Sequence, residues 1–180
     1  MKNNLKVEIA TGEKVRAEVV GTILKVKGPK GEVERNFAYP KIKVEVADGK
    51  IIVSSVKATK NEKKIVGAFE AHIQNMVNGV TELYVYKLKI CSGHFPMSVS
   101  VSGREFIIKN FLGETVPRTV KFSPSVEVKV NGTEIAVTGS DIELVGQTAA
   151  KIENLCRITN RDRRIFQDGC YITMKAGKAI

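Results

Sequence analysis

Histidine is almost missing from this chain: only His72 and His94 occur in 180 residues. Neither stands in a recognisable nucleophile context, so a Ser/His/Asp or Cys/His catalytic pair finds little material. Cysteine is equally sparse. Cys91, Cys156 and Cys170 make an odd number in a chain long enough to fold without covalent staples, which favours reduced thiols in the cytoplasm. Cys91-Ser92-Gly93-His94 has a C-x-x-H spacing that could supply half of a tetrahedral zinc site. Cys156 and Cys170 do not form the second knuckle, so a strand end followed by a turn, closed by Pro96, is the expected structure. No apolar run approaches the ~18 residues a membrane span needs. The opening MKNNLKVEIATGEKV has no apolar block after its first lysine, so no secretory signal is expected. No G-x-G-x-x-G occurs, and Lys27-Gly28-Pro29-Lys30-Gly31 reads as a strand-to-strand turn lacking the G-K-[ST] ending of a phosphate loop. No catalytic residue, metal, cofactor or small-molecule substrate is therefore expected.

What is abundant is positive charge. The chain carries 29 Lys+Arg against 19 Asp+Glu, a net +10, with a pI near 9.6. Such an excess repels itself in a compact fold and is tolerated where a polyanion neutralises it. No basic amphipathic helix with exposed aromatics is evident, so nucleic acid is favoured over a membrane face. Apolar residues at 43% suffice for a packed core.

Laid on itself, the chain repeats at an offset of about 80 residues. Gly21, Lys27 and Gly31-Glu32 answer Gly103, Lys109 and Gly113-Glu114. Ile42-x-Val44-x-Val46 answers Val126-x-Val128-x-Val130, each followed by a turn, Asp48-Gly49 or Asn131-Gly132, and a further strand. Val66 to Met76 lines up with Val145 to Leu155, placing His72 opposite Lys151 on a helix surface. Four matched blocks in order mark a duplicated unit of short alternating strands followed by one helix. The predicted class is α+β: two tandem copies, each an antiparallel-rich sheet with one packed helix. The first helix is predicted over roughly 61–78, with an apolar stripe of Ile65, Phe69, Ile73, Met76 and nearby Val80. The second carries Ile142, Val145, Ala149, Ile152 and Cys156, with Ser140 as N-cap and Glu143 closing a capping box. Units of 1–79 and 80–180 follow, because helical periodicity stops near Gly79 and a strand-like run starts at Leu83.

Four arginines, Arg157, Arg161, Arg163 and Arg164, stand against the single acid Asp162 in a segment with no basic counterpart in the first copy. The planar guanidinium suits phosphate oxygens and guanine edges. Phe166, Gln167 and Tyr171 follow, and aromatic and amide groups among arginines fit a structured-RNA surface. A basic adaptor that binds proteins through exposed sheet faces is the alternative.

Asn75-Met76-Val77-Asn78-Gly79-Val80-Thr81, Asn110-Phe111-Leu112-Gly113-Glu114 through Pro117-Arg118, Gly146-Gln147-Thr148-Ala149-Ala150 and Arg161-Asp162-Arg163-Arg164-Ile165-Phe166-Gln167-Asp168-Gly169 together resemble the large-subunit ribosomal protein L-six family. The resemblance covers essentially the whole chain. Its closing run, and Phe95-Pro96 after Gly93-His94, look like the archaeal and eukaryotic branch. It implies a cytoplasmic, non-enzymatic component of the large ribosomal subunit, near the stalk base and the sarcin–ricin region where translational GTPases dock. Large-subunit rRNA and neighbouring ribosomal proteins are the implied partners. The second domain would be the main RNA binder, through Lys109, Asn110, Arg118, Lys121, Arg157, Arg161, Arg163, Arg164, Phe166, Lys175 and Lys178. The first domain would face factors or the stalk base.

Overall fold

A computed structural model describes residues 3–12, 14–47 and 49–180, so Asp48 of the first predicted turn lies outside the described residues. The chain divides into two compact units between Leu83 and Tyr84. The first contains β1 (Asn3–Ala10), β2 (Arg16–Val20), β3 (Ile23–Gly28), β4 (Gly31–Asn36), β5 (Ile42–Ala47), β6 (Lys50–Ala58) and α1 (Lys60–Thr81). The second contains β7 (Tyr84–Cys91), β8 (Ser98–Ser102), β9 (Glu105–Lys109), a short 3-10 turn (Phe111–Gly113), β10 (Arg118–Lys121), β11 (Val126–Asn131) and β12 (Glu134–Gly139). It continues with α2 (Ile142–Leu155), β13 (Gly169–Lys175) and β14 (Lys178–Ala179).

Among the described residues each unit has two antiparallel sheets where alternation alone implied one. In the first, the strand orders are β1-β6-β5 and β2-β3-β4; in the second, β10-β9-β8 and β11-β12-β7-β13-β14. The units match strand for strand up to their helices. The second then adds β13 along the edge of β7, with Cys170 opposite Ile90. Ala176 and Gly177 both take positive φ, 47° and 81°, closing the β13–β14 hairpin that sets Lys175 opposite Lys178.

Each helix covers its own core. Val66, Ile73, Met76, Val77 and Val80 are the buried apolar side chains of α1 and join Leu24, Val26, Ile51 and Val53. Phe37 and Phe69 meet edge to face at 4.9 Å beside them. Val145, Ala149 and Ile152 of α2 join Phe106, Ile108, Ile135 and Val137. Periodicity ends the first unit at Gly79, but α1 runs on to Thr81 and Val80 is wholly buried in the first core.

The caps differ from their sequence assignment. The capping box belongs to α1: Thr59 caps it, and the Glu62 carboxylate accepts the Thr59 backbone N–H at 2.8 Å. On α2 the N-cap is Asp141, whose carboxylate accepts Glu143 N–H at 2.8 Å. With the cap one residue later than Ser140, Glu143 falls a position short of the third helical residue and does not close a box. Hydrogen bonds from the Thr59 hydroxyl and backbone hold the Glu62 carboxyl at a pKa of about 2, against an ordinary 4.5. A depressed carboxylate contributes stability that is complete above its unfolded pKa and lost as pH falls through the folded one. Acid melts of wild type should therefore lose stability between about pH 4.5 and 2, and Glu62→Gln should show a flatter curve over that window.

Gly28, at the turn from β3 into β4, packs on the C-terminal end of α1. A Cβ there would lie 2.7 Å from the Val80 carbonyl oxygen, which already accepts Lys30 N–H at 3.0 Å. Gly28→Ala should cost about 1–3 kcal/mol in urea unfolding, because backbone on both sides leaves no room to relax.

Candidate nucleic-acid interface

The arginine-rich segment leaves the C-terminus of α2 and returns to the sheet through β13. Two polar devices fix that excursion. At its start, Arg118 reaches from β10 to the open end of α2, donating from Nη1 to the carbonyls of Leu155 at 2.7 Å and Arg157 at 3.1 Å. Its Nε and Nη2 fork onto the two Glu114 oxygens at 2.7 and 2.5 Å. The guanidinium lies 4.3 Å from the centroid of the buried Phe111 ring. Glu114 is held below, and Arg118 above, its ordinary pKa, in each case chiefly by their mutual hydrogen bonds. Asn110 and Leu112 make the tight approach with positive φ of 58° and 50°, and Asn110 Nδ2 donates to the Pro96 carbonyl at 3.0 Å.

At the far end, Asp168 is 3% exposed. Its Oδ1 accepts the backbone N–H groups of Gly93 and His94, and its Oδ2 accepts His94 Nδ1 at 2.7 Å. Burial alone would push this carboxyl up; the His94 and Gly93 donors more than offset that and hold it below the ordinary carboxylate range. The C-x-x-H spacing therefore builds a carboxylate cradle. Among the described residues no group of three His, Cys, Asp or Glu side chains is placed to hold a metal.

Between these anchors Asp162 organises the loop. Its carboxylate accepts Arg164 backbone N–H at 2.9 Å and Nη2 at 2.8 Å, while its carbonyl accepts the Ile165 and Phe166 N–H groups. The Arg164 side chain nevertheless remains 89% exposed. The Arg161 guanidinium sits 4.9 Å from the Phe166 ring centroid, and the His94 ring sits 4.7 Å from the same centroid at 32°. The loop and the Cys91–His94 turn enclose a cleft of about 850 Å³ whose lining includes Arg163, Arg164, Phe166, Gln167 and Tyr171. Arg157 lines a neighbouring cavity of about 450 Å³ together with Arg163 and Tyr171.

The residues singled out from sequence thus separate into three groups. Arg163, Arg164 and Phe166 line one cleft, with Arg161 against the Phe166 ring and Arg157 in the neighbouring cavity. Arg118 has its donors committed inside the unit, as a clamp between β10 and α2. Lys109, Lys121, Lys175 and Lys178 are exposed at strand ends and, like Asn110, do not line the cleft. His94 joins the cleft although its spacing pointed to a simple turn. The signal that could have found it is Asp168, which with Asp162 is one of two acids in the arginine-rich stretch.

The Ribosomal protein L6 family model matches the chain twice, over residues 11–83 and 95–169, once in each unit. The large ribosomal subunit protein uL6 of Methanococcus vannielii is 46% identical over 176 residues, covering 98% of this chain and 97% of that protein. Its namesake from Methanosarcina mazei is 46% identical over 170 residues, covering 94% and 96% respectively. With both copies of the repeat matched and near full-length relatives at this identity, the chain belongs to the ribosomal protein L6 family, the non-enzymatic structural proteins of the large ribosomal subunit.

Proposed function

We propose that the chain grips large-subunit rRNA with its second unit, on the cytoplasmic ribosome, near the sarcin–ricin and factor-binding region at the stalk base. The observation that carries this reading is the convergence of Arg161, Arg163 and Arg164 on a loop anchored by Asp168 at one end and Arg118 at the other. A pinned loop presents cations without the ordering cost of a free tail. Lys109, Asn110, Lys121, Arg157, Lys175 and Lys178 extend the basic surface over the same unit, and Arg118 serves it as a positioning residue.

The first unit suits neighbouring ribosomal proteins, with translational GTPases docking nearby. The outer face of β2-β3-β4 sets Arg16 opposite Lys27 and Lys25 opposite Glu34, beside exposed Val20 and Ile23. Mixed charge with apolar contacts matches a protein surface better than a phosphate track. If that face alone defined the function, the chain would be a basic adaptor that stays with a protein partner after RNase treatment and does not fractionate with large subunits.

Binding to isolated large-subunit rRNA across a salt series tests the main reading. Changing Arg161, Arg163 and Arg164 together to alanine should weaken binding roughly ten- to a hundredfold and lower the log–log salt slope by ~0.7–0.9 for each phosphate no longer neutralised. Unchanged affinity and slope would sink the assignment.

A further inference from the structure

We propose that the cleft between the Cys91–His94 turn and the arginine loop seats one unstacked nucleotide of the bound RNA. This rests on the rRNA reading above and deepens it from a phosphate contact to the capture of a base. The cleft's volume of about 850 Å³ lies within the ~300–1,000 Å³ typical of sites that bury a small planar ligand. Its chemistry is divided as a nucleotide is divided. Arg163 and Arg164 supply cations, and Phe166, His94 and Tyr171 supply aromatic rings. Gln167 supplies an amide: its Nε2 donates to the Arg164 carbonyl at 3.3 Å, and an amide's carbonyl can accept from a base edge.

The aromatic wall is built before any ligand arrives. Asp168 accepts His94 Nδ1 at 2.7 Å, which fixes the ring's orientation and makes Nδ1 the protonated nitrogen. The oriented His94 ring packs against Phe166 at 4.7 Å, and the Arg161 guanidinium lies 4.9 Å from the Phe166 centroid. A fixed aromatic face stacks a base at little conformational cost. A base in an A-form helix cannot reach it, because its faces are already stacked and its major-groove edge is too deep to read. The occupant is therefore a bulged, looped or flipped-out nucleotide, with its phosphate beside Arg163 and Arg164.

Nucleotide-resolution footprinting on isolated large-subunit rRNA, using the full chain, tests this. A reagent that modifies the pairing edge of unpaired bases should find at least one base protected by wild type, and ribose cleavage should find protected riboses around it. Phe166→Leu keeps an apolar side chain of similar size without a π face; Phe166→Tyr keeps the face. The first should restore that base's reactivity and weaken binding about five- to a hundredfold, with the salt slope unchanged because every phosphate keeps its cation. The second should retain the protection. Gln167→Ala, at an exposed position that leaves the ring packing intact, should also restore reactivity. Base protection that survives both Phe166→Leu and Gln167→Ala would overturn the proposal, as would a wild-type footprint confined to riboses. In that last outcome the rRNA-binding reading stands while the base-capture reading falls; the absence of any footprint removes both.

Discussion

Replacing Arg118 by alanine should destabilise the second unit by about 3 kcal/mol or more, although the residue sits on a basic surface where a nucleic-acid contact would be the first guess. Four donor contacts tie its guanidinium to Glu114, Leu155 and Arg157, and each hydrogen bond to a charged group is worth roughly 1.5–3 kcal/mol in isolation. The sum is not additive, since water re-solvates part of what is freed. The loss still exceeds that of an exposed arginine, expected within about 0.5 kcal/mol of zero. Removing the clamp uncaps the last turn of α2, leaves the Leu155 carbonyl without its donor and frees the arginine segment at its root. Arg118→Lys should recover less than half of the loss, because a point ammonium cannot reproduce a planar fork. Urea unfolding followed with amide exchange around residues 154–157 measures both effects. Equal stability of Arg118→Ala and Arg161→Ala would contradict the clamp.

The second large effect is expected at Asp168. Asp168→Ala leaves the Gly93 and His94 backbone donors and the His94 ring without their acceptor, each orphaned group costing about 1–3 kcal/mol where water does not replace it. A net loss of about 3 kcal/mol is anticipated, with release of both walls of the cleft. Asp168→Asn should fall between wild type and alanine, since one of its two terminal atoms becomes a donor facing donors. The sign of the pH response follows from the depressed pKa. The folded carboxyl titrates below its ordinary 3.8, so its contribution is complete above about that pH and disappears as pH falls through the lower folded value. Thermal melts of Asp168→Asn should lack that component of acid destabilisation. An acid limb identical to wild type would show that the cradle adds nothing to stability.

Much of the architecture is legible in the chain itself. The duplication, the α+β class and the apolar stripes of both helices rest on periodicity and composition, which act within a few residues of one another. Val145, Ala149 and Ile152 are buried as their spacing requires. The capping assignment shows the limit of local reading. Thr59 and Glu62 form the box, while Ser140 and Asp141 are adjacent candidates that only the end of β12 separates. Likewise, alternation marks strands but does not say which strand pairs with which, so the division into two sheets per unit stayed hidden.

The site divides along the same line. Local sequence by itself determined that the second copy carries an extra arginine-dense, aromatic-bearing segment, because charge and residue type need no neighbours to be recognised. Only the tertiary structure decided which of those residues face outward. Arg118 meets the carbonyls of Leu155 and Arg157 across separations of 37 and 39 residues, and Asp168 meets the Gly93–His94 turn across 75 and 74. Closing such distances depends on the whole unit folding: β13 pairing with β7 brings the loop beside the turn, and burial then selects the partners. A buried carboxylate must find opposite charge or hydrogen-bond donors, and that requirement makes the Gly93–His94 stretch a cradle for Asp168, while the half-buried Arg118 spends its fork on Glu114 and the carbonyls of Leu155 and Arg157.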